Sequence, residues 1–337
     1  MDTPLHQSEI NTWLSCRRKH TFMYREGLKP QRKSLALSYG SAFHRGLALW
    51  YSGKDKNEVL AVANEVFDDD DEMTEYPDEW SEKREFLAAS LRGHLTAYMT
   101  NWPQTEWAEV VAVEHSFEVM IEDVPIAGIV DGIVKDQHGY HWLLEHKTAG
   151  SLEAPFHLSF DLQVSFYLLA MRALEDTPME NGTPYPHVVG VLYNVCRKPG
   201  IRPLSAIREI VFNTGESMTG TKTAAKARAR AEELRIVGET TRTERIDEFE
   251  NRTSGTILKD ADKYFMRDWV HRGDTYLDEF AGTVKRYWCE IRVAAGHSRN
   301  LPNWHSCKYC PFKDICGVPV RDREEMKLNF KGTGDGR

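Results

Sequence analysis

Asp131, Glu145 and Lys147 are the residues of this chain best suited to act on one chemical group together. They fall in the stretch 126–147, IAGIVDGIVKDQHGYHWLLEHK, which reads as two apolar-rich strands joined by a polar turn at 136–139. Side chains alternate along a strand, so Glu145 and Lys147, two positions apart, leave the same face. Two carboxylates and an ammonium on a buried hairpin make poor structural sense unless something neutralises the acids. A hard divalent cation does so, taking oxygen ligands from one or two carboxylates and keeping positions open for water and a phosphate. The competing reading is a surface hairpin with solvated charges, and the spacing alone does not separate the two.

Further groups point the same way. His44 lies in the middle of a predicted helix at 34–51, with Gly40 and Gly46 near it on either side, where small residues permit close approach of backbone or sheet. Gln163 and Tyr167 are four apart and share one face of an otherwise apolar helix predicted at 155–175. A polar pair on a core-facing helix needs partners, and a phosphate or a water could supply them. Glu114, in a predicted strand at 107–120, either adds a carboxylate to the site or is an edge-strand charge. Of the six cysteines, Cys307, Cys310 and Cys316 form a C-x2-C-x5-C run near the end of the chain, whereas Cys16, Cys196 and Cys289 are isolated. That close spacing suits a soft metal. Three thiolates need a fourth ligand, which His305, His297 or a distant cysteine would provide; Cys16 stands among basic and aromatic residues. Zn2+ and an iron–sulfur cluster both fit such a set.

The elements that must position these groups can be read in order. Residues 8–25 suggest a helix capped by Ser8, and 34–51 a second one opened after the Gly27 and Pro30 breakers. The stretch 54–102 reads as helical and acidic, a solvated insertion or lid. Strands at 107–120, 126–135 and 140–147 are followed by the helix at 155–175, opened by Pro155, and by a strand at 187–195. Residues 208–212 suggest an extra strand, and 222–238 and 274–296 two more helices. Helices beside a short run of strands predict a mixed α/β core.

At 337 residues, with 41% hydrophobic and 28% charged residues, the composition is that of an ordinary globular chain. No run approaches the ~20 apolar residues of a membrane helix, and the N-terminus lacks the layout of a signal peptide, so a cytoplasmic location without membrane association is expected. The net charge of −8 argues against indiscriminate nucleic-acid binding. The distribution is uneven, however: residues 68–85 are acidic, whereas 17–33 and 222–235 are basic and would offer a local path for a polyanion.

Taken together, the residues resemble the PD-(D/E)XK nuclease superfamily, and within it the RecB-like exonucleases with an iron–sulfur cluster, which include CRISPR-associated exonucleases, the nuclease domain of AddB and phage-encoded enzymes. The likeness rests on Gly40 to His44, on Asp131 within Gly128 to Gly132, on Glu145-His146-Lys147, on Gln163 to Tyr167, and on Cys16 with Cys307, Cys310 and Cys316. It implies a restriction-endonuclease-like mixed sheet flanked by helices, with helical insertions and a cluster region joining the two ends of the chain. The implied divisions are 1–33, an N-terminal helix contributing to the cluster region; 34–215, the nuclease core with an acidic helical insertion at 54–106; 216–296, a helical region; 297–318, the cysteine region; and 319–337, a tail. Asp131 and Glu145 would hold Mg2+ or Mn2+, with His44 and the backbone carbonyl of His146 completing the shell. Lys147, Gln163 and Tyr167 would serve catalysis, Cys16, Cys307, Cys310 and Cys316 would hold a [4Fe–4S] cluster or Zn2+, and Arg17, Arg18 and Lys19 would touch DNA. The implied activity is a metal-dependent DNA exonuclease acting on single strands or DNA ends in recombination, repair or phage DNA metabolism, as a homo-oligomer or beside a helicase or recombination partner. The alternative is a non-catalytic DNA-binding or assembly subunit of a recombination or CRISPR adaptation complex.

Overall fold

Alternating β-branched residues at 109–121 and 124–135 form strands β3 (Glu109–Ile121) and β4 (Val124–Lys135), paired antiparallel. Their two-residue turn places Glu122 at φ 45° and Asp123 at φ 67°, the left-handed pair that matches the twist of a hairpin. In the computed structural model, residues 3–30, 35–68, 77–152, 161–215, 217–220, 236–294, 307–308, 310–328 and 330–332 are described. The turn expected at 136–139 is present: Gly139 takes φ 92°, and the Asp136 carboxylate accepts from the backbone N–H of His138 and Tyr140 and from the Trp142 indole. It leads into β5 (His141–Ala149), which runs antiparallel to β4 and parallel to β6 (Val188–Arg197). β1 (Leu5–His6), parallel to β4, and β10 (Phe265–Val270), antiparallel to β6, complete a six-stranded mixed sheet in the order β1-β4-β5-β6-β10, with β3 on the other edge of β4.

The pairing of β4 changes along its length. It pairs with β5 only from Gly132 to Lys135, and with β1 at Ile126 and Ala127. Since β3 occupies the other edge throughout, β4 and β5 must diverge beyond Gly132, and β1 fills the gap further on. The candidate residues stand where this split opens.

Helices cover both faces. On one side lie α1 (Gln7–Ser15), the long C-terminal helix at 274–293 and the crossover helix at 162–174, whose Val164, Leu168 and Met171 join Ile126, Val130 and Leu143 in one core. α2 (Arg17–His20) follows α1. On the other side lie α3 (Leu35–Tyr51), α4 (Lys56–Asp68) and α5 (Pro77–Asn101), where Phe43, Leu47, Leu95 and Tyr98 pack with Val134, Leu144 and Leu192. The crossover helix is α6 (Leu162–Leu174), followed by α7 (Ile246–Lys259), which packs on α5, and by α8 (Asp274–Val293). A second sheet of three strands, β7 (Ile207–Phe212), β8 (Ser217–Gly220) and β9 (Ile236–Arg242), stands apart from the first.

Several expectations change. The helix expected at 8–25 is broken at Cys16, whose extended backbone (φ −162°, ψ 111°) cannot continue the helical ladder; α1 ends before it, and a π-turn at Thr21–Arg25 follows α2. Ser8 lies within α1, and its hydroxyl accepts from Tyr24. The stretch 54–102 is not a solvated insertion: Leu91, Leu95, Ala97 and Tyr98 of α5 are fully buried and form much of one core. Nor is 216–296 a helical region, because β10 is a strand of the central sheet and residues 236–238, expected as the end of a helix, open β9; the rest of that expected helix falls outside the described residues. The Pro155 start of the crossover helix also falls outside them, and the described helix begins after Asp161, whose carboxylate caps it by accepting from Val164 N at 3.0 Å.

Candidate active site

β4 and β5 bring the acids to the split. Their pairing ends at Gly132↔Leu144, and Asp131 and Glu145 are the next residues on the two strands, where these part. There the alternation of β4 skips a residue: Val130 and Ile133, three apart, both enter the core beneath α6, whereas regular pleating would send them to opposite faces. The partner position on β3 shows the same break, since Glu114, between Val113↔Gly132 and His115↔Val130, takes φ 47°. A non-glycine residue in that region is uncommon in a strand and costs of order 1–3 kcal/mol.

With β4 gone from its side, the backbone N–H of His146 donates to Asp131 Oδ2 at 2.7 Å. His44, from the middle of α3, lies with Nδ1 3.6 Å from the same oxygen. Its approach depends on Gly40: a Cβ there would stand 2.8 Å from Thr148 Oγ1 of β5. Gly46 serves a different contact, since a Cβ would meet the Leu95 side chain of α5.

On the α6 side, Lys147 Nζ donates to Glu145 Oε1 at 2.5 Å and to Gln163 Oε1 at 2.7 Å. Gln163 Nε2 donates to Glu145 Oε1 at 2.9 Å and to Tyr167 OH at 3.1 Å. Both expected pairs, Glu145 with Lys147 and Gln163 with Tyr167, therefore meet in one network. Glu145 is 2% exposed, and its Oε2 is buried with no hydrogen-bond partner among the described residues.

The electrostatics follow from these contacts. Burial and the nearby Asp131 charge raise the Glu145 carboxyl above its ordinary range, offset only in part by Lys147 and His44. Asp131 is also desolvated, but His44 and His146 around it outweigh that and lower its pKa. Burial works against the His44 cation, yet Asp131 and Glu145 raise it overall. Glu114 is raised by burial and by Asp131.

Behind the acids runs a buried network that the sequence did not announce. The His146 ring stacks on Tyr51, and its Nδ1 accepts from Asn194 Nδ2 at 2.9 Å; Asn194 also donates to Tyr98 OH at 2.8 Å. Arg267 of β10 donates to both tyrosine hydroxyls and pairs with Glu106. Burial lowers the His146 pKa to about 3 and keeps the ring neutral. The available signals were an asparagine inside the apolar strand HVVGVLYNV and an arginine in the short segment FMRDWV.

Among the described residues, no three His, Cys, Asp or Glu side chains gather closely enough to hold a metal ion as they stand. The side chains nonetheless suit a hard cation: among the described residues nothing supplies Glu145 Oε2 with the charge or donor that a buried carboxylate oxygen requires, and the nearby Asp131 charge disfavours its ionised form further. At the cysteines, Cys16 sits at the break between α1 and α2. The Cys310 thiol is raised by burial and by the neighbouring Cys16 and Cys316, while Lys19 acts in the opposite sense. Cys307 is exposed, and His297 and His305 lie outside the described residues. Around the cysteines, Phe22 and Leu28 pack on Phe312 and Ile315, and β2 (Leu28–Pro30) pairs with β11 (Phe330–Gly332), so the two ends of the chain are joined. Of the basic run, Arg17 is exposed and stacks 4.8 Å from the Trp13 ring, whereas Arg18 and Lys19 are half-buried.

A mixed sheet flanked by helices, with an acid and an ExK lysine on neighbouring strands, is consistent with a restriction-endonuclease-like fold. A family model for the PD-(D/E)XK nuclease superfamily matches residues 4–317, and the chain belongs to that superfamily, whose members are metal-dependent nucleases that generally use Mg2+ or Mn2+. It is also similar to a solved structure titled "Crystal structure of SSO0001", at 12% identity over 94% of this chain and 87% of that one, with a TM-score of 0.26, too low for residue roles to be carried across. No curated protein matches the chain.

Proposed function

We propose that this protein is a RecB-like, divalent-metal-dependent DNA exonuclease acting on single strands or DNA ends. The observation that carries the reading is the Lys147 ammonium, held by Glu145 and Gln163 at the opening beside Asp131. Asp131 and Glu145 would hold Mg2+ or Mn2+, with His44 and the His146 carbonyl beside them; imidazole favours Mn2+ somewhat. When bound, the ion supplies Lewis acidity toward the scissile phosphate and the attacking water. Lys147 orients that water and offsets charge on the phosphate oxygens as they become more negative. Gln163, anchored on Tyr167, fixes the lysine, and Asn194 with Tyr51 fixes the His146 ring and so the N–H that holds Asp131.

Cys16, Cys307, Cys310 and Cys316 would hold a [4Fe–4S] cluster, supported by the donor set and by the shared electrostatics of Cys16, Cys310 and Cys316. Arg17, Arg18 and Lys19 would lie beside it along a DNA path. Recombination, repair or phage DNA metabolism is the setting in which such an enzyme acts, alone as an oligomer or beside a helicase.

End-labelled single- and double-stranded DNA incubated with Mg2+ or Mn2+ tests the reading. The expected result is divalent-dependent shortening, with polarity given by the labelled end and a circular substrate resisting. A mobility shift without shortening would point instead to a non-catalytic DNA-binding or assembly subunit. Iron content and a visible absorption band in anaerobically prepared protein test the cluster, and stoichiometric zinc in a colourless preparation would replace it.

A further inference from the structure

Two clefts of similar volume open beside the site, and their charges differ. One, of about 620 Å³, is lined by Gln7, Tyr167, Glu118 and Glu180 among others and has no lysine or arginine of the described residues in its walls. The other, of about 610 Å³, contains His44 and Asp131 and is walled by Ser41 and Arg45 of α3, Thr148 of β5, and Lys198 just past β6.

Lys198 is unusual in its surroundings. It is half-buried, donates to the Ala36 carbonyl in the first turn of α3 at 2.5 Å, and lies 5.8 Å from the Tyr39 ring centroid. No carboxylate of the described residues pairs with it, and burial lowers its pKa. An ammonium has three donors, and a desolvated cation without a counter-ion is costly unless a ligand supplies one. By contrast, Lys147 across the site is already engaged by Glu145 and Gln163. A polyanion reaching Asp131 must also pass Glu114, so cations have to come from the cleft walls. Leu37, 64% exposed on the rim of the same cleft, offers an apolar surface.

We propose that this cleft takes the nucleic-acid strand to be cut, with the Lys198 ammonium on a phosphate next to the scissile one and Leu37 against a base. The proposal rests on the nuclease reading above and assigns Lys198 a binding role without a part in the chemistry. It is tested by the affinity of the full-length protein for a fluorescein-labelled single-stranded oligo(dT) with nuclease-resistant phosphorothioate linkages, in Ca2+ buffer at several salt concentrations. Lys198→Met, which keeps the apolar stem, should weaken binding about three- to tenfold and reduce the log–log salt slope by ~0.7, the loss of one single-strand phosphate contact. Lys198→Arg should restore both. Glu118→Gln, in the other cleft, should leave the slope and the affinity unchanged. Unchanged affinity and slope for Lys198→Met, alongside normal wild-type binding and digestion of an unmodified strand, would overturn the proposal and leave the nuclease reading intact. A wild-type protein that neither binds nor shortens DNA would overturn both.

Discussion

At Glu145, burial and the Asp131 charge disfavour the carboxylate, while Lys147 and His44 favour it. Replacing Lys147 by alanine removes the ammonium proposed to position the nucleophile but keeps the strand, so divalent-dependent DNA degradation should fall by ~10²-fold or more while circular dichroism stays that of the wild type. The pH dependence of stability follows from the same residue. With its pKa raised to about 8, the folded metal-free protein holds a proton at Glu145 that the unfolded chain has released, so this group loses stability for the protein as pH rises toward 8. His94 and His146, both lowered to about 3 by burial, act in the opposite sense, but only below the ordinary histidine value of ~6.5. Asp131, whose pKa is lowered, acts only below the ordinary carboxylate value. His44, raised by its acidic neighbours, adds to the loss. Above pH ~6.5 the melting temperature of metal-free protein should therefore drop with rising pH. Mn2+ should reverse the drop, and Glu145→Gln should flatten it; a wild-type profile that stays flat after chelation would refute this account.

On the scale of elements, the site depends on how closely α3 lies on β5. A Cβ at Gly40 would reach Thr148 Oγ1 at 2.8 Å, well inside van der Waals contact, so Gly40→Ala should lift α3 and draw His44 away from Asp131. Overpacking of this kind costs roughly 1–3 kcal/mol, to be read from urea unfolding, together with reduced nuclease activity. Because the atom met is one side-chain oxygen, the double variant with Thr148→Ala should recover most of both losses. Additive losses would mean that the helix is held off by something else. The cap of α6 belongs to the same scale. Asp161→Ala removes the acceptor for Val164 N and should lower stability by ~1 kcal/mol, with fraying at the end of the helix nearest Gln163.

Across the molecule, the two ends of the chain meet through β2 and β11 and through Phe22, Phe312 and Ile315. With a cluster spanning Cys16 and the C-terminal cysteines, a Cys16→Ser or Cys316→Ser variant should lose bound iron, melt at lower temperature and expose residues beyond 307 to limited proteolysis. Lys147→Ala, remote from that chemistry, should keep its metal content, so elemental analysis of the two variants side by side separates a structural cluster from the active-site ion. Equal iron in Cys16→Ser and wild type would remove Cys16 from the ligand set.

Local pattern sufficed for β3, β4, β5 and β6 and for the Asp136 turn, because strand alternation and turn chemistry are properties of neighbouring residues. It also sufficed to pair Glu145 with Lys147 and Gln163 with Tyr167, since spacing of two along a strand and four along a helix fixes a shared face. What it could not supply was the interior position of α5, the edge strand β10 with Arg267, or the interruption of a helix at Cys16. Those depend on which surfaces distant segments bury against one another: Tyr98, Asn194 and Arg267 are polar or amphipathic residues whose meaning appears only when three separate elements bring them together. The divergence of β4 from β5 is decided in the same way, with β1 arriving from the far end of the chain and Glu114 of β3 at positive φ, and it frees the His146 N–H to hold Asp131 beside His44.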